Sequence, residues 1–173
     1  MAGFGNNKKS KKKIKKDLKT NNPKAQIINQ AFLLHSQGNI LEAEKYYRYC
    51  IEQKIIDYRI FSNYGLILKN QGKLREAELL LNKAIQLNPN WPLGHNNMGT
   101  IQKDLGKLHE AEISFLKAIK LKPDYVDAYY NLGSIVSNLG KSREVRLCSE
   151  KIMSLRSWSI LGSYVSNREM ELD

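Results

Sequence analysis

The chain has 173 residues and a formal charge of +11, enough length for one domain with a sizeable core. Residues 1–23 hold eight lysines against Asp17, a net of +7, so basicity belongs mainly to the N-terminal segment. No apolar run reaches the length of a membrane span, and no apolar stretch follows the first lysines as a secretory signal requires. The expected location is cytoplasmic.

Residues 1–23 are polar and lysine-dense, with almost no large apolar side chains. Such a segment buries too little surface to offset its ordering entropy, and it reads as a disordered tail. Lys8, Lys9, Lys11, Lys12, Lys13, Lys15 and Lys16 repel one another and extend it. They form a candidate electrostatic arm for RNA, DNA or an anionic surface. Against that stands a plain solubilising tail, because no aromatic is interleaved to stack on bases.

Pro23 suits the start of a helix. From there apolar residues recur at three or four positions, first Ile27, Ala31 and Leu34, then Ile40, Ala43, Tyr47 and Ile51. That is the helical period, twice over. Gly38 between the two sets supplies a positive φ to close the first helix, and Asn39 is placed to cap the second. The same layout returns at a fixed step of 34 residues. Gly38, Gly72, Gly106 and Gly140 keep it, as do Glu42, Glu76, Glu110 and Glu144, Ala43, Ala77 and Ala111, and Gly65, Gly99 and Gly133. A period of this length marks a repeat array.

The boundaries are residues 24–57, 58–91, 92–125 and 126–157. Pro89 and Pro123 stop the second helices of repeats two and three, since the residue before proline avoids α geometry. Repeat one has Ile55 in that slot, and Ala31 where later repeats have glycine. Repeat four degrades: Val145 replaces the small crossing residue and Ser149 the aromatic. Residues 158–173 read as either a short capping helix or a frayed tail. Stacking each pair on the next buries an apolar face that one pair cannot bury alone.

Gly99, Ala111, Phe115, Ala118 and Pro123 reproduce the pattern of the tetratricopeptide repeat, which the chain resembles over about four-fifths of its length. The resemblance implies an all-α solenoid of four helix-turn-helix repeats wound as a right-handed superhelix. It also implies a concave groove lined by the first helices.

Asn29, Asn63, Asn97 and Asn131 recur at the sixth position of every repeat. The arrangement resembles the asparagine ladder in the repeat domain of O-linked N-acetylglucosamine transferase, whose side chains grip an extended peptide backbone. An amide offers both donor and acceptor, so it can pair with a peptide unit whatever its sequence. The competing reading is that these amides bond local groups. Tyr130 is a further groove-edge candidate. The carboxylate clamp of some repeat co-chaperones is missing: its fifth positions are here Ile28, Ser62, Asn96 and Tyr130, and every sixth is asparagine.

No catalytic constellation emerges, and no cofactor is expected. His35, His95 and His109 lack metal-ligand spacing, and His95 takes a slot held elsewhere by Phe61 and Tyr129, which suggests a packed core histidine. Cys50 and Cys148 fall in repeats one and four and read as reduced packing residues. The repeated Glu-Ala-Glu at 42–44, 76–78 and 110–112 reads as solvated helix positions or ties to the adjoining loop. The preferred function is a non-catalytic scaffold for a protein or peptide partner. Alternatives are an adaptor working through the lysine tail, and a repeat module cut from a larger glycosyltransferase-like enzyme. The sequence sets no oligomeric state.

Overall fold

The structure is a computed structural model that describes the backbone of residues 23–169 and the side chains of 24–156 apart from Ser142. The lysines expected to form a tail lie outside the described residues.

Eight α-helices and no strand occur among the described residues: α1 Pro23–Ser36, α2 Ile40–Glu52, α3 Tyr58–Asn70, α4 Leu74–Leu87, α5 Pro92–Asp104, α6 Leu108–Leu121, α7 Val126–Asn138 and α8 Ser142–Glu169. The chain is all-α, and corresponding helices of successive repeats start 34 residues apart, except that α3 follows α1 by 35. It divides after Pro89 into two compact units, the first holding α1–α4 and the second α5–α8. The stretch from residue 158 belongs to α8, which runs as one helix to Glu169.

Each helix pair is closed by its glycine. Gly38, Gly72, Gly106 and Gly140 have φ of +74°, +77°, +76° and +71°. In each turn the glycine N–H and the following N–H bond back to carbonyls of the first helix, as in Gly106 N to Lys103 O at 2.9 Å and Lys107 N to Gln102 O at 2.8 Å. Two of the carbonyls left open at the helix end are thereby satisfied by main chain alone.

The exit of repeat one uses the same device with the wrong residue. Lys54 N bonds Ile51 O and Ile55 N bonds Cys50 O, both at 3.0 Å, so Lys54 takes the left-handed position at φ +54°. An L-residue pays steric strain there that glycine avoids. Ile55, 7% exposed, holds the turn by packing into the core. At the corresponding exits of α4 and α6, Asn88 and Lys122 are extended ahead of Pro89 and Pro123.

In the first unit Ile27, Ala31, Ala43, Tyr47, Cys50, Ile60 and Ile67 form the core. In the second, Ala111, Phe115, Leu132, Ile135, Val136 and Cys148 do so. Ala43, Ala77 and Ala111 are fully enclosed, as the close approach of paired helices requires. In α8 the buried stripe has moved by one residue. Ser149, in the aromatic slot, is exposed, and Cys148 beside it is buried.

Three expectations are corrected. Asn39 stands at the start of α2 but makes no side-chain cap; only its carbonyl bonds the helix, accepting from Ala43 N at 3.0 Å. His95 is half-buried instead of enclosed in the core, because α5 turns Asn96 and Met98 inward on either side. Ile40, read as part of the buried period, is 37% exposed at the first turn of α2.

Candidate functional site

In the first unit the sixth-position amides lie on α1 and α3. Asn29 is exposed and Asn63 half-buried. Tyr47 of α2 is fully buried and reaches both helices, with its hydroxyl 3.1 Å from His35 Nδ1 on α1. The Asn63 Nδ2 donates to the same hydroxyl from α3 at 3.2 Å. A phenol has one proton. With Asn63 donating, that proton goes to His35 Nδ1, which must then be the acceptor of a neutral imidazole. Burial lowers the His35 pKa, which favours this form. Burial also pushes Tyr47 up to about 12, so its hydroxyl stays protonated. One side of the Asn63 amide is therefore held by its own fold, while its Oδ1 carries no bond among the described residues.

The second position of repeat two holds Arg59, also committed locally. Its Nε and a terminal nitrogen bond the Asp57 carboxylate at 3.0 and 2.6 Å. Asp57 caps α3 by accepting from Arg59 N at 2.9 Å. The Arg59 side-chain bond, more than any other cause, holds the Asp57 carboxyl below the usual carboxylate range. The guanidinium carbon lies 5.0 Å above the Phe32 ring, within cation–π range.

In the second unit Asn97 of α5 and Asn131 of α7 are both half-buried. They do not bond one another. Asn131 Nδ2 instead donates to Oδ1 of Asn96 at 3.0 Å. Asn96 is only 6% exposed, whereas Tyr130 is 69% exposed and Leu93 46%. The expected site residues thus fall on the first helices of both units, but two of the four ladder amides already bond neighbouring-helix groups. Sequence reasoning missed Tyr47 and Asn96 as their partners. The Asn96-Asn97 pair was the available signal for the latter.

The repeated glutamates tie loops. Glu44 Oε2 accepts from Gln71 Nε2 at 2.8 Å, and Lys141 Nζ reaches both Glu112 oxygens at 2.7 and 2.8 Å. Burial raises the pKa of both thiols, with Cys50 reaching about 12. Among the described residues no group of three His, Cys, Asp or Glu side chains could hold a metal, and no helix is long and apolar enough to cross a membrane.

The helices, their turns and the buried alanines define an all-α helical repeat protein. Residues 58–91 match the tetratricopeptide repeat model, and residues 101–140 match a second TPR repeat model. No curated protein matches the sequence. Among solved structures the chain is similar to MamA, at 18% identity and TM-score 0.77 over 92% of this chain and 98% of that one. It is also similar to YrrB, described as a TPR protein with an unusual peptide-binding site, at 17% identity and TM-score 0.70 over 83% and 74% of the two chains. A third is the first TPR of Spaghetti (RPAP3) bound to the HSP90 peptide SRMEEVD, at 21% identity and TM-score 0.63 over 68% and 93%.

Proposed function

We propose that the protein is a non-catalytic scaffold that binds extended peptide segments on the first-helix faces of its repeats. The observation that carries this reading is the sixth-position amide. Asn29 is exposed, and Asn63, Asn97 and Asn131 are half-buried; where Asn63 and Asn131 use an N–H internally, the carbonyl oxygen is left for a ligand. Such oxygens accept peptide N–H groups without reading side chains. Tyr130 adds an exposed aromatic surface. Two of the similar structures, YrrB and the Spaghetti repeat, are described as having a peptide-binding site or a bound peptide. The acidic peptide of the latter is a poor guide here, since Ser62 and Asn96 stand at clamp positions and Arg59 is held by Asp57.

Each rung contributes roughly 0.5–1.5 kcal/mol net, and ordering the peptide offsets part of the sum. Affinity is therefore about micromolar or weaker. The Asn63→Ala, Asn97→Ala double variant tests the reading by calorimetric titration of a selected peptide. Binding should be largely lost while the melting temperature stays within a few degrees of wild type. Full affinity in the variant defeats the proposal. Deleting residues 1–23 should leave peptide binding intact; loss of binding would transfer the function to the lysine segment.

A further inference from the structure

We propose that Asn96 and Asn131 together form a carboxamide-reading site in the second unit, which takes the side chain of a glutamine or asparagine from a bound peptide. The inference rests on the peptide-scaffold reading above and adds a side-chain preference to it.

The starting point is an unused donor in a nearly enclosed residue. Asn96 is 6% exposed, and its Oδ1 accepts from Asn131 Nδ2 at 3.0 Å. Its own Nδ2 has no partner among the described residues. No fully enclosed side-chain nitrogen or oxygen among the described residues is unpaired, so this N–H2 reaches solvent. On the neighbouring helix Asn131 has spent an N–H and kept its Oδ1. The pair therefore presents one N–H2 and one carbonyl outward. Exchanging oxygen and nitrogen in both amides moves the N–H2 to Asn131 and the carbonyl to Asn96 but keeps one of each outward, a pair that a carboxamide turned end for end still meets.

That pattern matches a primary carboxamide. Its carbonyl and one N–H lie on the same edge, whereas the C=O and N–H of a trans peptide unit point in opposite directions. Depth argues the same way. A main chain flanked by its Cβ atoms cannot descend to a residue 6% exposed, but the end of a glutamine side chain can. A carboxylate brings only acceptors, so it would satisfy Asn96 but face the oxygen of Asn131. Asp127, exposed one turn before Asn131, repels it further. The only lysine of α5, Lys103, is seven residues from Asn96, about 10 Å along the helix. Exposed apolar side chains for an aliphatic stem are near in the chain: Tyr130, next to Asn131, is 69% exposed, and Leu93, a turn before Asn96, is 46% exposed. The first unit has no counterpart, since its fifth position on α1, opposite Asn63, is Ile28.

The test is selection of a random nonapeptide library, displayed on phage, against the full chain. Enriched peptides should carry Gln or Asn at one fixed position. In the tightest peptide, Gln→Glu should weaken binding about tenfold or more, a change on the peptide that leaves the protein's fold untouched. The protein variants Asn96→Ala and Asn131→Ala, each checked for an unchanged helical spectrum, should bind the Gln and Glu forms within about twofold of one another. Enriched peptides without a fixed carboxamide, or equal binding of Gln and Glu forms by wild type, overturn the inference. If such peptides still lose binding in the Asn63→Ala, Asn97→Ala variant, the scaffold reading survives alone. If no peptide is enriched, both fall.

Discussion

Gly99 of α5 and Gly133 of α7 occupy the same slot in successive repeats, yet adding one methyl group should move stability in opposite directions. Alanine is favoured over glycine inside a helix by about 1 kcal/mol, so both variants start with that gain. A Cβ at Gly133 would meet only the Cβ of Cys148, at 3.5 Å, which is ordinary contact. A Cβ at Gly99 would lie 2.5, 2.7 and 2.8 Å from three ring atoms of Phe115. The ring would have to withdraw by roughly 1 Å, and Phe115 is fully buried. Overpacking of this kind costs about 1–3 kcal/mol. Gly133→Ala should therefore stabilise by about 1 kcal/mol, and Gly99→Ala should fall about 1–3 kcal/mol below it. Urea unfolding followed by helical circular dichroism, with the slopes compared to detect stepwise loss of repeats, measures the difference. Equal stabilities, or a more stable Gly99→Ala, would show that Phe115 does not set the size of the residue at position 99.

Lys54→Gly should stabilise the first unit by about 0.5–1 kcal/mol, because relief of left-handed strain exceeds the extra entropy of an unfolded glycine; an unchanged or lower urea midpoint counts against strain at Lys54. His35 makes stability depend on pH. Its folded pKa lies below the unfolded 6.5, so the unfolded chain binds the extra proton first as pH falls. This contribution is whole above pH 6.5 and is lost below it, towards the lowered folded value. His35→Phe should flatten the fall in urea midpoint between pH 7.5 and 5.5, and an equally steep fall in that variant would remove the neutral His35–Tyr47 bond from the account.

The helix pairs were legible because they are written in residues whose constraint is local. A glycine that needs positive φ leaves the same mark at every step of 34, and an alanine that needs to be small does so in the first three repeats. The partners of the amides were not legible. Asn63 bonds Tyr47 and Asn131 bonds Asn96 across 16 and 35 residues, and only packing decides which groups meet. The cap expected from Asn39 failed for a related reason. The glycine turn already directs its N–H back to Leu34 O at 2.9 Å, so its backbone geometry (φ −80°, ψ 67°) belongs to the turn before it. In α8, the exchange of Ser149 for Cys148 in the core follows from a rotation that periodicity alone did not disclose.

The glycine turns divide the labour between main chain and side chains. Within a pair, the angle between helices is fixed by bonds that no side chain makes, so the residues flanking each glycine are released from that task. Those are the residues that reach the neighbouring pair: Gln71 stands before Gly72 and holds Glu44, and Lys141 follows Gly140 and holds Glu112. Substitution at these flanks can therefore retune how one pair seats on the next while each hairpin keeps its shape. A protein built this way can change how its pairs seat on one another without first having to refold its parts.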